Sequence, residues 1–196
     1  MAAVQRWSQA KVAQYRVVGI YDGWAGASDW AQKQDRESGQ IHATDTVTLE
    51  FKWDMKKKQP VGAVKIENAK TSVKGTRNTM DKRIAPVLKG DYEHLDVASV
   101  TIDRDGRGTL KGTRFYPAAE LALDYPGSMA MKPVKAETIE VTQYIAVPDP
   151  TMMGMAGMMP AMTTSTGTQM SFTPDKKSFV MKLDGWTWTY TPTVVE

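Results

Sequence analysis

Six methionines, Met152, Met153, Met155, Met158, Met159 and Met162, fall within eleven residues, interleaved with Gly154, Ala156, Gly157 and Pro160. Thioether sulfur is a soft donor that suits Cu(I), and a loop this rich in it can fold three or four sulfurs around one ion. No histidine lies nearby, so Cu(II) or zinc is not expected there. A second set is Trp186, Trp188 and Tyr190. Strand alternation puts these three rings on one face and Thr187 and Thr189 on the other. An exposed row of this kind stacks on sugar rings. A buried one is core, because large aromatics carry much of the buried area in β proteins. Trp7, Trp24, Trp30 and Trp53 have the same two readings. A third run, Asp103-Arg104-Asp105-Gly106-Arg107-Gly108, opens like a calcium loop. The twelfth position counted from Asp103 is Arg114 where an EF-hand needs a bidentate glutamate, so the run reads as a hairpin turn.

Three readings compete with metal binding at the methionine tract. Methionine fills irregular gaps in cores, methionine-rich surfaces adapt to partners, and low-complexity tracts need not fold at all. The tract resembles, in composition over residues 152–162, the methionine-rich loops of bacterial periplasmic copper-resistance proteins. That resemblance implies Cu(I) handling and no particular fold. Catalytic sets are thin. The two histidines, His42 and His94, lie far apart in sequence. No nucleophile elbow, zinc-protease motif or phosphate loop occurs. The absence of cysteine excludes disulfides, thiolate catalysis and cysteine-ligated metals. An enzyme is not expected.

The elements that must position these groups are read from periodicity. Val12 to Trp24 alternates as a strand closed by Asp22-Gly23, and residues 25–43 read as a long loop. Thr44 to Asp54 is the clearest strand, with Val47, Leu49, Phe51 and Trp53 on one face and Thr48, Glu50 and Lys52 on the other. Lys56-Lys57-Lys58 reads as a solvated hairpin tip. Val64–Glu67 followed by Ser72–Arg77 aligns with Val100–Asp103 followed by Thr109–Arg114, sharing Lys-Gly-Thr-Arg. A looser third copy runs from Met170 through Pro174–Lys177 to Lys182. Each reads as strand, turn, strand, by shared hairpin chemistry or by duplication. Short helices are expected over Ala2–Ala10 and Pro117–Leu123. Glu137 to Val147 reads as a strand stopped by Pro148-Asp149-Pro150, and the last strand as Lys182 to Thr191.

A chain of 196 residues with 41% hydrophobic and 24% charged residues supports one sizeable core. The expectation is a single β-rich domain over 1–196 with a Met/Pro/Gly-rich loop at 148–169. The fold expected is an all-β, antiparallel, hairpin-built sandwich, or alternatively an up-and-down barrel. A net charge of +3 spread along the chain gives no basic face with interleaved aromatics, so nucleic acid is not an expected partner. No stretch approaches the roughly 20 apolar residues of a membrane helix. Met1-Ala2-Ala3-Val4 reads as a start methionine ahead of a processed, exported chain, giving a periplasmic or secreted location. The leading functional expectation is a non-enzymatic exported β-domain that binds a protein or envelope partner. Its alternatives are a Cu(I)-binding protein using the methionine loop and a carbohydrate-binding module using Trp186, Trp188 and Tyr190.

Overall fold

Alternating apolar residues build two faces that have to meet. In a computed structural model describing residues 7, 9–25, 39–78, 84–89, 95–116, 118–123, 133–134, 137–155, 158, 162–163 and 168–195, they do so as an all-β sandwich. The strands are, in chain order, β1 (Val12–Ala25), β2 (Gly39–Asp54), β3 (Gln59–Asn78), β4 (Ile84–Lys89), β5 (Leu95–Ile102), β6 (Arg107–Tyr116), β7 (Ala118–Leu123), β8 (Pro133–Val134), β9 (Glu137–Ala146), β10 (Met162–Thr163), β11 (Gln169–Phe172), β12 (Phe179–Leu183) and β13 (Trp186–Val194). The main sheet has the order β10-β11-β12-β13-β1-β2-β3. A three-stranded sheet, β5-β6-β9, packs on it, and β4-β7-β8 form a further small ladder. All described pairings are antiparallel. β10 and β3 end the main sheet without meeting, so it does not close and the barrel alternative falls.

The core lies between these layers. Tyr15 and Val17 from β1, Val47, Leu49, Phe51 and Trp53 from β2, Phe179 and Met181 from β12, and Trp186, Trp188 and Tyr190 from β13 face Leu95, Leu110 and Ile145 of the smaller sheet. The alternate residues face outward. Arg16 on that outer face reaches Glu50 at 3.6 Å on the adjacent β2 and Glu67 at 3.2 Å on β3 beyond it. The β1–β13 register sets Gly19 opposite Trp188, and the indole lies over the glycine. A Tyr15 hydroxyl hydrogen bond to the Pro148 carbonyl then ties the main sheet to the segment leaving β9.

The turns follow their residue chemistry. Leu183 pairs with Trp186 across Asp184 (φ 49°) and Gly185 (φ 80°), the two positive φ values of a type I′ hairpin. Asp103 Oδ1 accepts the Asp105 amide at 2.9 Å and the Arg107 amide at 2.8 Å, so this carboxylate staples a hairpin turn as its sequence indicates. The lysine run is the β2–β3 tip, where Asp54 Oδ1 accepts the Lys56 and Lys57 amides.

Four expectations change. The first supposed hairpin repeat is one strand, β3, twenty residues long. Within Val64–Arg77 the ladder to β2 shifts register at Glu67, opposite Thr48/Leu49, and at Lys74, opposite His42/Ala43, without turning the chain. Asn68-Ala69-Lys70-Thr71 holds no glycine or proline to turn the chain, and β2 runs back to Gly39, offering ladder partners throughout. Both Lys-Gly-Thr-Arg runs lie in strands, but only the second follows a turn, so the strand-turn-strand repeat does not hold for the first. Residues 39–43, read as loop, begin β2. Ala118–Leu123, read as helix, is strand β7, paired with β4 from Ala118↔Lys89 to Leu123↔Ile84. Tertiary pairing overrides the helical propensity of its alanines and leucines. Lys182–Thr191 is not one strand but the β12–β13 hairpin. The helix expected over Ala2–Ala10 falls mostly outside the described residues, with helical backbone at Trp7 and Gln9. Among the described residues no helix is long and apolar enough to cross a membrane.

Candidate functional site

β9 ends at Ala146, and the proline-rich segment after it is held from three sides. Tyr15 donates to the Pro148 carbonyl. Lys58 Nζ, on the β2–β3 tip, lies 3.0 Å from Asp149 Oδ2. Asp149 in turn caps a 3₁₀ turn over Pro150–Met155. Its Oδ1 accepts the Thr151 amide at 3.0 Å and the Thr151 hydroxyl at 2.7 Å, and its carbonyl accepts the Met152 amide at 3.1 Å. An aspartate before a proline suits this place, since the side chain satisfies a free amide and proline lacks the next donor. Burial alone would raise the Asp149 pKa. The Thr151 hydroxyl, Lys58 and the Thr151 amide outweigh it, and the carboxyl is held below its ordinary value.

The two core tyrosines are both shifted upward. Burial, then the nearby charge of Asp149, then Tyr190 push the Tyr15 phenol well up. Burial likewise pushes Tyr190 up, and the facing Ala146 amide offsets this only in part. That amide falls short of hydrogen-bond geometry, leaving the Tyr190 hydroxyl buried without a formed partner, as are Trp53 Nε1 and Trp188 Nε1.

The structure divides the methionine set. Met152 and Met153 are half-buried and pack against the core cluster. Met155 is 46% exposed and Met158 87% exposed. The Met158 amide donates to the Met155 carbonyl at 2.8 Å, which ties Met158 to the end of the 3₁₀ turn. Met159 lies outside the described residues. Met162 opens β10, with its backbone opposite Met170. Among the described residues no three His, Asp or Glu side chains gather into a metal-binding group.

Trp186, Trp188 and Tyr190 are 3%, 1% and 1% exposed. Trp186 stacks on Trp188 with ring centroids 5.1 Å apart and planes 16° from parallel, and Tyr21 leans on Trp186 at 5.9 Å. These rings are the inner face of β13, and no ring face is offered to a sugar. The carbohydrate-binding expectation for this row is therefore corrected to a core role. Trp53 is buried in the same cluster.

A feature without local sequence signal lies beside the methionine turn. Trp7, Met153, Gly154, Lys176, Lys177, Thr191, Pro192 and Thr193 line a cleft of about 290 Å³. It gathers the residues before β1, the 3₁₀ turn, the β11–β12 turn and the end of β13. The β11–β12 turn is braced by Asp175 Oδ1, which accepts the Thr173 hydroxyl at 2.6 Å and the Lys177 amide at 3.2 Å. These bonds hold the Asp175 carboxyl below its ordinary pKa. No protein-family model, curated protein or solved structure matches the chain.

Proposed function

We propose that this chain is a non-catalytic binding domain that presents Met155 and Met158 to a protein partner. The observation that carries the reading is the exposure of Met158, at 87%, hydrogen-bonded to the last residue of a turn fixed to the sandwich by Asp149, Pro148, Met152 and Met153. Large exposed apolar side chains on an anchored turn suit recognition. The anchor limits the entropy lost on binding, while the unbranched thioether adapts to the partner's shape. A photo-activatable methionine at position 158 tests it in the cells that make the protein. Discrete adducts are expected at 158, weakened by Met155→Ser, and absent with the same probe at Lys52 on the outer sheet face. Equal labelling from Lys52, or none from 158, refutes the reading.

A second reading is Cu(I) binding, favoured by two exposed thioethers on linked residues. Met155 and Met158 are both accessible, and the Met158 amide donates to the Met155 carbonyl at 2.8 Å. Their long side chains can lean together on one ion, and two thioethers form the start of a soft-ligand set. Anaerobic Cu(I) titration against a competing chelator decides between the readings. Saturable binding abolished by Met155→Ser/Met158→Ser supports copper. Lack of saturable binding by the intact protein removes it and leaves the partner surface.

A further inference from the structure

We infer that the cleft between Trp7, Met153 and the β11–β12 turn binds a small amphipathic carboxylate, an apolar chain carrying one anionic head. Trp7, Met153 and Pro192 are the apolar residues of the lining. The rim carries Lys176 and Lys177, both exposed, and among the described residues no carboxylate lines the cavity. Asp175, beside Lys176 in the chain, is turned into its own loop, where it accepts the Thr173 hydroxyl and the Lys177 amide. Lys177 also lies close enough to Asp175 to help hold its pKa down, so Lys176 is the less committed cation of the two. Lys176 has φ 58°, a conformation fixed by the turn, where its amide donates to the Thr173 carbonyl at 2.8 Å. The threonine hydroxyls at the other wall are already engaged. Thr191 Oγ1 is 2.7 Å from Ser178 Oγ, and the Thr193 hydroxyl donates to the Gln14 carbonyl at 3.3 Å. The cleft therefore offers little hydrogen-bonding specificity. It offers an apolar trough with positive charge at one end, which matches a fatty-acid-like anion rather than a sugar or a nucleotide.

Size narrows the class. A cavity of about 290 Å³ is at the small end of ligand sites. At interior packing density it holds about a dozen non-hydrogen atoms. A medium-length acyl carboxylate such as decanoate has that size, and a diacyl lipid does not fit. The inference does not use Met155 or Met158 and stands or falls independently of the partner surface.

The test is calorimetric titration of the full chain with decanoate, with decylammonium as a charge-reversed probe of the same chain length. Saturable one-to-one decanoate binding is expected, with decylammonium at least about tenfold weaker. Two rim charges at ordinary surface strengths correspond to roughly a tenfold loss of affinity in Lys176→Ala/Lys177→Ala. The decanoate affinity of the parent should also fall with added salt, and that of the double variant should not. Both lysines are exposed, so an unchanged melting temperature verifies the fold of the variant. Trp7→Ser should weaken both probes alike, and Met155→Ser/Met158→Ser should weaken neither. Absence of saturable decanoate binding, equal affinity for the two probes, or an unaltered affinity in the lysine variant overturns the assignment.

Discussion

Gly19→Ala should destabilise the protein although alanine suits a strand better than glycine does. A Cβ at position 19 would stand 2.2 Å from Trp188 Cζ3, 2.4 Å from Cε3 and 2.6 Å from Cη2. Carbon atoms in contact prefer roughly 3.5–4.0 Å, so the indole must retreat by more than about 1 Å. It has nowhere to go, being 1% exposed and stacked at 5.1 Å on Trp186, which Tyr21 backs at 5.9 Å. Overpacking a closed core costs about 1–3 kcal/mol, and the boxed ring argues for the upper end. The conformational gain of alanine over glycine returns roughly 0.5–1 kcal/mol, leaving a net loss of about 2 kcal/mol. For a chain of 196 residues the unfolding entropy is about 0.4 kcal/mol/K, so the melting temperature should fall by about 5 °C. Calorimetry or thermal circular dichroism measures this. Trp188→Leu provides the control. Alone it should cost about 3 kcal/mol through lost burial and cavity formation. Combined with Gly19→Ala it should cost less than the sum by about 1–3 kcal/mol, because the clashing ring has gone. An unchanged melting temperature in Gly19→Ala, or strict additivity in the double variant, would refute the ring-over-glycine account.

The two buried tyrosines should respond differently to loss of their hydroxyls. Tyr15→Phe leaves the Pro148 carbonyl without its donor and should cost about 1–3 kcal/mol, whereas Tyr190→Phe, whose hydroxyl has no formed partner, should be neutral or stabilising in chemical denaturation. Both phenols are held neutral in the fold, so the stability they contribute is present below pH 10 and lost above it as the unfolded chain ionises. The loss should be about 1.4 kcal/mol per pH unit for each, and Tyr190→Phe should halve the slope. Asp149 has the opposite sign. Its folded pKa is lowered, so its contribution is present above the ordinary carboxylate range and is lost as pH falls through the folded value. Asp149→Ala should cost about 1 kcal/mol at neutral pH, speed amide exchange at Thr151 and Met152, and converge with the parent in acid. Gly185→Ala should cost about 1–2 kcal/mol, from the αL backbone at φ 80° and a Cβ 2.9 Å from the Tyr21 ring, measured as a shift in denaturation midpoint without change in slope.

Much of the frame was legible because its signals are local. The alternation in Val47–Trp53, the Asp-Gly pair at 105–106, and the prolines at 148 and 150 each act within a few residues. They placed β2, the β5–β6 hairpin and the end of β9. What was misread depends on partners far along the chain. Val64–Arg77 has strand propensity throughout, and only the length of β2 beside it decides between one long strand and a hairpin. Pro117–Leu123 has helical composition and becomes a strand because β4 pairs with it. The aromatic row of β13 illustrates the same limit. Alternation put Trp186, Trp188 and Tyr190 on one face, but which face is buried depends on the β5-β6-β9 sheet that covers it. The cleft at Trp7 had no local signal, since its lining comes from residues more than 180 apart in the chain.

The location of the candidate sites follows from this packing. Large aromatics fill the layer between the sheets, and the outer face of the main sheet carries paired charges such as Arg16 with Glu50 and Glu67. The aromatics of the inner face are spent on core burial, while outward-facing apolar groups such as Ile20 and Tyr144 stand on the sheet faces. The end of the sandwich is free. There Tyr15, Lys58 and Asp149 hold the chain leaving β9 against the main sheet, and the following 3₁₀ turn alternates between anchoring and display. Met152 and Met153 face the core, while Met155 and Met158 do not. The same anchoring places Met153 as one wall of the cleft. One pinned turn therefore supplies both an exposed thioether pair and part of an apolar cavity. Asp149→Ala should accordingly weaken cross-linking at position 158 and decanoate binding together, while leaving the Trp186–Trp188 stack intact. Loss of one without the other would show that the two surfaces are held separately.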